Sequence, residues 1–237
     1  MGFVMPQEMW ALTLSAALIA FSHTLLGPDH YLPFIAMAKS GDWTQRKTIW
    51  VTCLCGLGHV LSSVVLGLVG IALGATLARL SGVEAWRGEL AAWGLIAFGM
   101  LYMLWGLRRG LRGQVHSHTH VDGSVHRHVH RHQGEHSHSP AEGQKMTPYV
   151  LFIIFVLGPC EPLIPLMMYP AARDFVNGAW VVAGVFAGVT IATMLGVVLL
   201  ALRGLQRVPS AKLGRYAHAQ AGATIMLSGM AIQFLGL

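Results

Sequence analysis

Three ionisable side chains, His23, Asp29 and His30, stand within eight residues of one another in the stretch Ser22-His23-Thr24-Leu25-Leu26-Gly27-Pro28-Asp29-His30-Tyr31-Leu32-Pro33. The run around them is otherwise apolar, from Met9 to Ala38. Imidazole nitrogens and a carboxylate suit borderline divalent metals such as nickel, cobalt and zinc. At membrane depth such groups are costly, so they face a bundle interior or a polar cavity and mark function. In an unbroken helix His23 and His30 would lie roughly 10 Å apart, and one ion would not touch both. Gly27-Pro28 falls between them and predicts a helix break. A break lets the two imidazoles and the carboxylate converge, and frees carbonyls to line a site, as in transporters built on discontinuous helices. A kinked helix whose His23 bonds a neighbour is the plainer reading; three ionisable groups around one break favour an ion site.

Two further stretches carry the same chemistry. Gly58-His59-Val60-Leu61-Ser62-Ser63 adds a fourth imidazole, and the hydroxyls of Ser62 and Ser63 are suited to orient ligands. Gly158-Pro159-Cys160-Glu161-Pro162 places a thiol and a carboxylate at a second Gly-Pro. Cys160 is open to three roles: ligand, redox thiol or small packing residue. A buried Glu161 without a basic partner in its segment calls for a cation. The expected ligand set is therefore His23, Asp29, His30, His59, Cys160 and Glu161, with Ser62, Ser63 and Thr193 behind it. His218 lies beside a basic loop and is read as interfacial.

Nine of the 13 histidines fall in one polar insertion: His116, His118, His120, His126, His128, His130, His132, His136 and His138. They alternate with Gly, Ser, Gln and single charges, a composition that cannot bury a core, so residues 108–147 are expected to be disordered. A His-rich tract is a metal chelator by composition, and metal buffering is preferred over a pH-sensitive linker.

The elements that must position these groups are apolar helices. The chain of 237 residues is 54% hydrophobic and 11% charged, against roughly 25% charged in an ordinary soluble domain. Its mean hydropathy is +0.56. This is the composition of a polytopic membrane protein. The net charge of +6 comes from basic residues clustered in short loops, which reports membrane orientation and excludes a nucleic-acid footprint. Cys53, Cys55 and Cys160 all lie in apolar segments, so no disulfide framework is expected. The N-terminal apolar run lacks a basic leader and a small-residue cleavage site, and reads as a retained span.

Six spans are expected: Met9–Ala38, Thr48–Leu80, Leu90–Leu107, Pro148–Ala172, Ala179–Leu202 and Leu213–Leu237. Of the 16 Lys and Arg residues, Arg79, Arg87 and Arg173 alone fall on one side, so both termini are expected outside and the His-rich loop in the cytoplasm. The halves match at an offset near 130. Leu26-Gly27-Pro28 recurs as Leu157-Gly158-Pro159, Gly58 as Gly188, Ser62-Ser63 as Ala192-Thr193, Gly99-Met100 as Gly229-Met230, and Gly106-Leu107 as Gly236-Leu237. Three spans per half make the second copy inverted. The expected architecture is an all-α membrane protein, a 3+3 inverted repeat with broken first and fourth helices. Residues 1–107 form the first repeat, 108–147 the loop and 148–237 the second repeat.

With His23, Asp29 and His30 in one helix and Leu57-Gly58-His59 in the next, the chain resembles the nickel/cobalt permease superfamily, including its urease-accessory-like and His-loop efflux branches. Gly158-Pro159-Cys160 makes the second half similar also to the thiol–disulfide membrane electron carriers of cytochrome c biogenesis. The resemblance implies a permease for Ni²⁺ or Co²⁺, with Zn²⁺ possible as cargo, no prosthetic group and no enzymatic activity. Proton coupling is expected because ligands lose protons to bind metal, and export is slightly favoured. The lipid bilayer and the metal ion are the expected partners, with no nucleic acid, and a bacterial inner or plasma membrane is the expected location. Two other classes remain. A transmembrane thiol–disulfide oxidoreductase needs a second thiol, and position 29, where the repeat would put it, is Asp. An anion or sulfite exporter needs positive charge at the site, and no Lys or Arg is expected there.

Overall fold

The computed structural model describes residues 6–111, 115–119, 125–129, 143–173, 176–206 and 214–236. The apolar segments fold as α-helices. Helix α1 is Pro6–Leu26, a 3-10 turn covers Pro28–His30, and α2 is Leu32–Ser40. Helices α3 (Gln45–Ala72) and α4 (Leu77–Leu111) follow. Beyond two short strands come α5 (Gly143–Leu157), α6 (Leu163–Ala171), α7 (Val176–Gln206) and α8 (Ala217–Leu235). Among the described residues, four helices are long and apolar enough to cross a membrane: Gln7–Leu26, Gln45–Ala72, Leu77–Leu111 and Asn177–Leu205.

Local chemistry explains most boundaries. Thr44 caps α3, its hydroxyl accepting from Lys47 N at 3.2 Å. The α2–α3 turn is tight enough to put Asp42 at φ 47°. Helix α8 ends on Gly236 in the left-handed conformation, φ 68°. Both Gly-Pro stretches interrupt the helix as expected: α1 stops at Leu26 and α5 at Leu157, each before the glycine.

Two features differ from the sequence reading. The third apolar helix begins at Leu77, not near Leu90, so Glu84 and Arg87 are helical rather than in a loop. The insertion, expected to be disordered, contains a two-stranded antiparallel ribbon, β1 (Val115–Thr119) with β2 (Val125–Val129). Its register sets His116 opposite His128 and His118 opposite His126. His120, His130, His132, His136 and His138 lie outside the described residues.

The tightest seam joins α4 to α8. A Cβ on Gly99 would stand 2.3 Å from Met226 N, one on Gly106 2.3 Å from Ala219 N, and one on Gly222 2.2 Å from Met103 N. Helix association in lipid relies on such close backbone approach, because apolar burial drives nothing there. Three buried clusters complete the interior. One joins Ala20, Val60, Cys160, Leu163, Met167 and Phe186; a second joins Met37, Ala91, Leu95, Leu151 and Ile225. The third holds Phe34, Cys55, Phe155, Met194 and Val198.

Candidate functional site

The break after α1 places its ionisable groups against α3. With the chain turning through Pro28–His30, His30 is buried and its ring stands edge-on between two others, 4.9 Å from His23 and 5.1 Å from His59 between ring centroids. His30 Nδ1 lies 3.2 Å from Gly27 O and 3.1 Å from Asp29 Oδ1. Gly27 is required at this approach, because a Cβ there would meet His30 Nδ1 at 2.5 Å. Two acceptors beside Nδ1 fix the proton on that nitrogen and leave Nε2 with its lone pair. His59 is arranged likewise, its Nδ1 donating to Phe155 O at 3.3 Å. The buried Nε2 atoms of His23, His30 and His59 all lack a hydrogen-bond partner among the described residues.

Unpaired buried polar atoms are expensive, and three on one cluster point to a ligand that the imidazoles are arranged to receive. The second break adds a thiol. Ligand atoms of His23, His59 and Cys160 all fall within 4.8 Å of one another. Around a tetrahedral ion with bonds of about 2.0–2.3 Å they would stand roughly 3.5 Å apart, so a closure of about 1 Å would complete the set. The donor set, two imidazoles and a sulfur with His30 and Asp29 alongside, fits a borderline transition metal. A cavity of about 290 Å³ reaches the cluster, lined by His23, Asp29, His30, His59, Phe155 and Pro159.

Of the expected ligands, five therefore gather here, and Glu161 does not. It is exposed beyond the break, where the chain turns away before α6, and is corrected out of the site. The carboxylate that serves this half is Glu84, fully buried on α4, which accepts from Cys160 N at 3.0 Å. Its partner Arg87 lies 2.5 Å away. Arg87 also donates to Ser62 Oγ at 2.5 Å, Ser63 Oγ at 3.3 Å, Val156 O at 2.8 Å and Gly158 O at 3.3 Å. Ser62 and Ser63 thus receive Arg87, and Ser62 Oγ in turn donates to His59 O at 2.8 Å, which keeps it behind the cluster. The expectation of no basic residue near the site is overturned. The i,i+3 spacing of Glu84 and Arg87 was the available signal, a pair that neutralises itself within one helix. Thr193 is half-buried on α7; the fully buried hydroxyl nearby in sequence is Thr190, unpartnered among the described residues.

Cys53, Cys55 and Cys160 are all free thiols. Cys55 and Cys160 pack in separate apolar clusters. His218, at the start of α8, is half-buried with its Nδ1 2.8 Å from Tyr102 Oη and its ring against Trp105.

Apolar helices broken at two Gly-Pro turns, with polar side chains gathered at the breaks, define an integral membrane protein with a buried polar site. The chain belongs to the family described as the cytochrome C biogenesis protein transmembrane region, whose sequence model matches residues 32–231. No curated protein and no solved structure matches it significantly. The matched stretch takes in His59, Glu84, Arg87 and Cys160; it begins after His23, Asp29 and His30.

Proposed function

We propose that the protein is a membrane permease for a divalent transition-metal ion, Ni²⁺ or Co²⁺ first and Zn²⁺ next, and not an enzyme. The observation that carries this reading is the convergence of His23, His59 and Cys160 within 4.8 Å beside His30, with three buried Nε2 atoms unpartnered among the described residues. These imidazoles, together with Asp29, give the likeness to nickel/cobalt permeases, and His23, Asp29 and His30 precede the family match. Neutral imidazoles and a thiolate bind metal only after losing protons, which supports proton coupling, and a His-rich tract on the cytoplasmic side suits collection of metal for export.

An inverted repeat of six spans is the architecture that goes with this reading. Taking α1–α2, α3, α4 as one unit and α5–α6, α7, α8 as the other, α1 packs on α7 as α5 packs on α3, and α4 packs on α8. Reciprocal pairing of that kind is what a two-fold between the halves requires. Both termini then face outward across a bacterial inner or plasma membrane, with the His-rich segment inside.

The family match itself favours the second reading, thiol–disulfide transfer across the membrane, with Pro159-Cys160 as its centre. Thiol exchange needs a resolving thiol. Cys55 and Cys53 are the candidates, and Cys55 packs away from Cys160. Metal flux into proteoliposomes, with Ni²⁺, Co²⁺ and Zn²⁺ in competition, separates the two. The permease retains flux when Cys53, Cys55 and Cys160 are all changed to Ser. A protein that moves no metal but reduces an external disulfide, and stops doing so in the triple variant, establishes the second reading.

A further inference from the structure

Of the carbonyls freed where α5 ends, Phe155 O, Val156 O and Gly158 O receive side-chain donors from elsewhere in the chain. His59 Nδ1 donates to the first, and Arg87 to the other two. On the far side of the break, Cys160 N gives its proton to Glu84. The cation of this buried pair thus lies on the carboxyl end of α5, where the helix dipole is negative. The anion lies on a free N–H just ahead of α6, at the positive end. The first break shares the carbonyl side of this arrangement, while its carboxylate pairs with the imidazole and not with a backbone N–H. His30 reaches the carbonyl of Gly27 at the end of α1, and Asp29 lies against the imidazole ahead of α2.

We propose that Glu84 and Arg87 are positioning residues that hold Cys160 and the second break in register with the histidines, the role that Asp29 and His30 fill for the first break. In the first half the acid and the base come from the break itself; in the second they are lent by α4. Gly88 shows how closely α4 is fitted to that task, since a Cβ there would meet Pro159 Cγ at 2.9 Å. A buried ion pair is by itself weak evidence of stabilisation. This one satisfies groups of both polarities that the break leaves open, and its polarity matters. The inference holds whether Cys160 is a metal ligand or a redox thiol.

The test uses the full-length protein in detergent, with Cys53→Ser and Cys55→Ser so that Cys160 is the single thiol. Two readouts are taken: the rate of Cys160 alkylation by iodoacetamide, and the thiolate-to-metal charge-transfer band on adding Co²⁺. Glu84→Gln and Arg87→Met, checked as monodisperse, are expected to speed alkylation by about tenfold or more, as the buried thiol is released. Both should weaken the Co²⁺–thiolate band. Arg87→Lys keeps the charge and restores most of both readouts. The swapped protein E84R/R87E keeps an ion pair but sets a carboxylate against the carbonyls of Val156 and Gly158, and rescues neither. Rescue by the swap, or parental alkylation rates in both single variants, would overturn the proposal. Absence of the Co²⁺ band in the parent would count against the metal reading alone, and alkylation would still decide the role of the pair.

Discussion

His30 and His59 each have Nδ1 tied to a backbone carbonyl, and their Nε2 atoms, like that of His23, are unpartnered among the described residues; that division sets what substitutions do. His30→Ala removes a ring wedged between His23 and His59, and transport is expected to vanish while the protein stays folded. Asp29→Ala takes away the carboxylate beside His30 Nδ1, and transport is again expected to be lost. Cys160→Ser should cost less, because a hydroxyl or water can stand in for sulfur at a borderline ion. Normal flux in a folded His30→Ala protein would remove the cluster from the pathway. His23, His30, His59 and Cys160 were legible in the sequence because each is a polar group inside an apolar run within four residues of a glycine. Glu84 and Arg87 were not. They lie among Arg79 and Glu89, a density of charge that reads as a loop until pairing inside the fold makes it neutral. Glu161 misled in the opposite sense, since adjacency to Cys160 says nothing about which way a chain leaves a break.

Among the elements, the breaks were the easiest to anticipate, because proline withholds a backbone donor and glycine admits the imidazole that takes its place. The extent of α4 was the hardest. Its 35 residues include an N-terminal part that is polar in composition and helical because Glu84 and Arg87 satisfy each other and the second break. The seam of α4 with α8 is where a single methyl group should matter most. Gly99→Ala and Gly222→Ala would set a Cβ 2.3 Å and 2.2 Å from backbone nitrogen of the facing helix, and backbone has nowhere to go without parting the pair. The loss should exceed the about 1–3 kcal/mol typical of overpacking against side chains. Thermal unfolding in detergent measures it, with Gly184→Ala as a control because no described residue would come within 4 Å of a Cβ there.

At the scale of the whole molecule, orientation is the first thing to measure. In the proposed six-span topology the basic asymmetry survives the reassignment of Arg87 to the interior, since Arg79 and Arg173 alone then oppose thirteen others. A cysteine introduced at position 2 of a cysteine-free protein should react with an impermeant maleimide from outside, and one at position 125 should not. The reverse pattern would invert the proposed topology. Deleting 115–139 should change the metal concentration at which flux saturates yet leave flux, because the gathered ligands lie elsewhere; complete loss would move the site. The α4–α8 seam has one more consequence. It fastens α4, which precedes the His-rich insertion, to α8 near the end of the chain by close backbone approach. Two polypeptides made separately, one ending at 113 and one beginning at 142, would carry complementary surfaces, so affinity purification of one from cells making both is expected to recover the other.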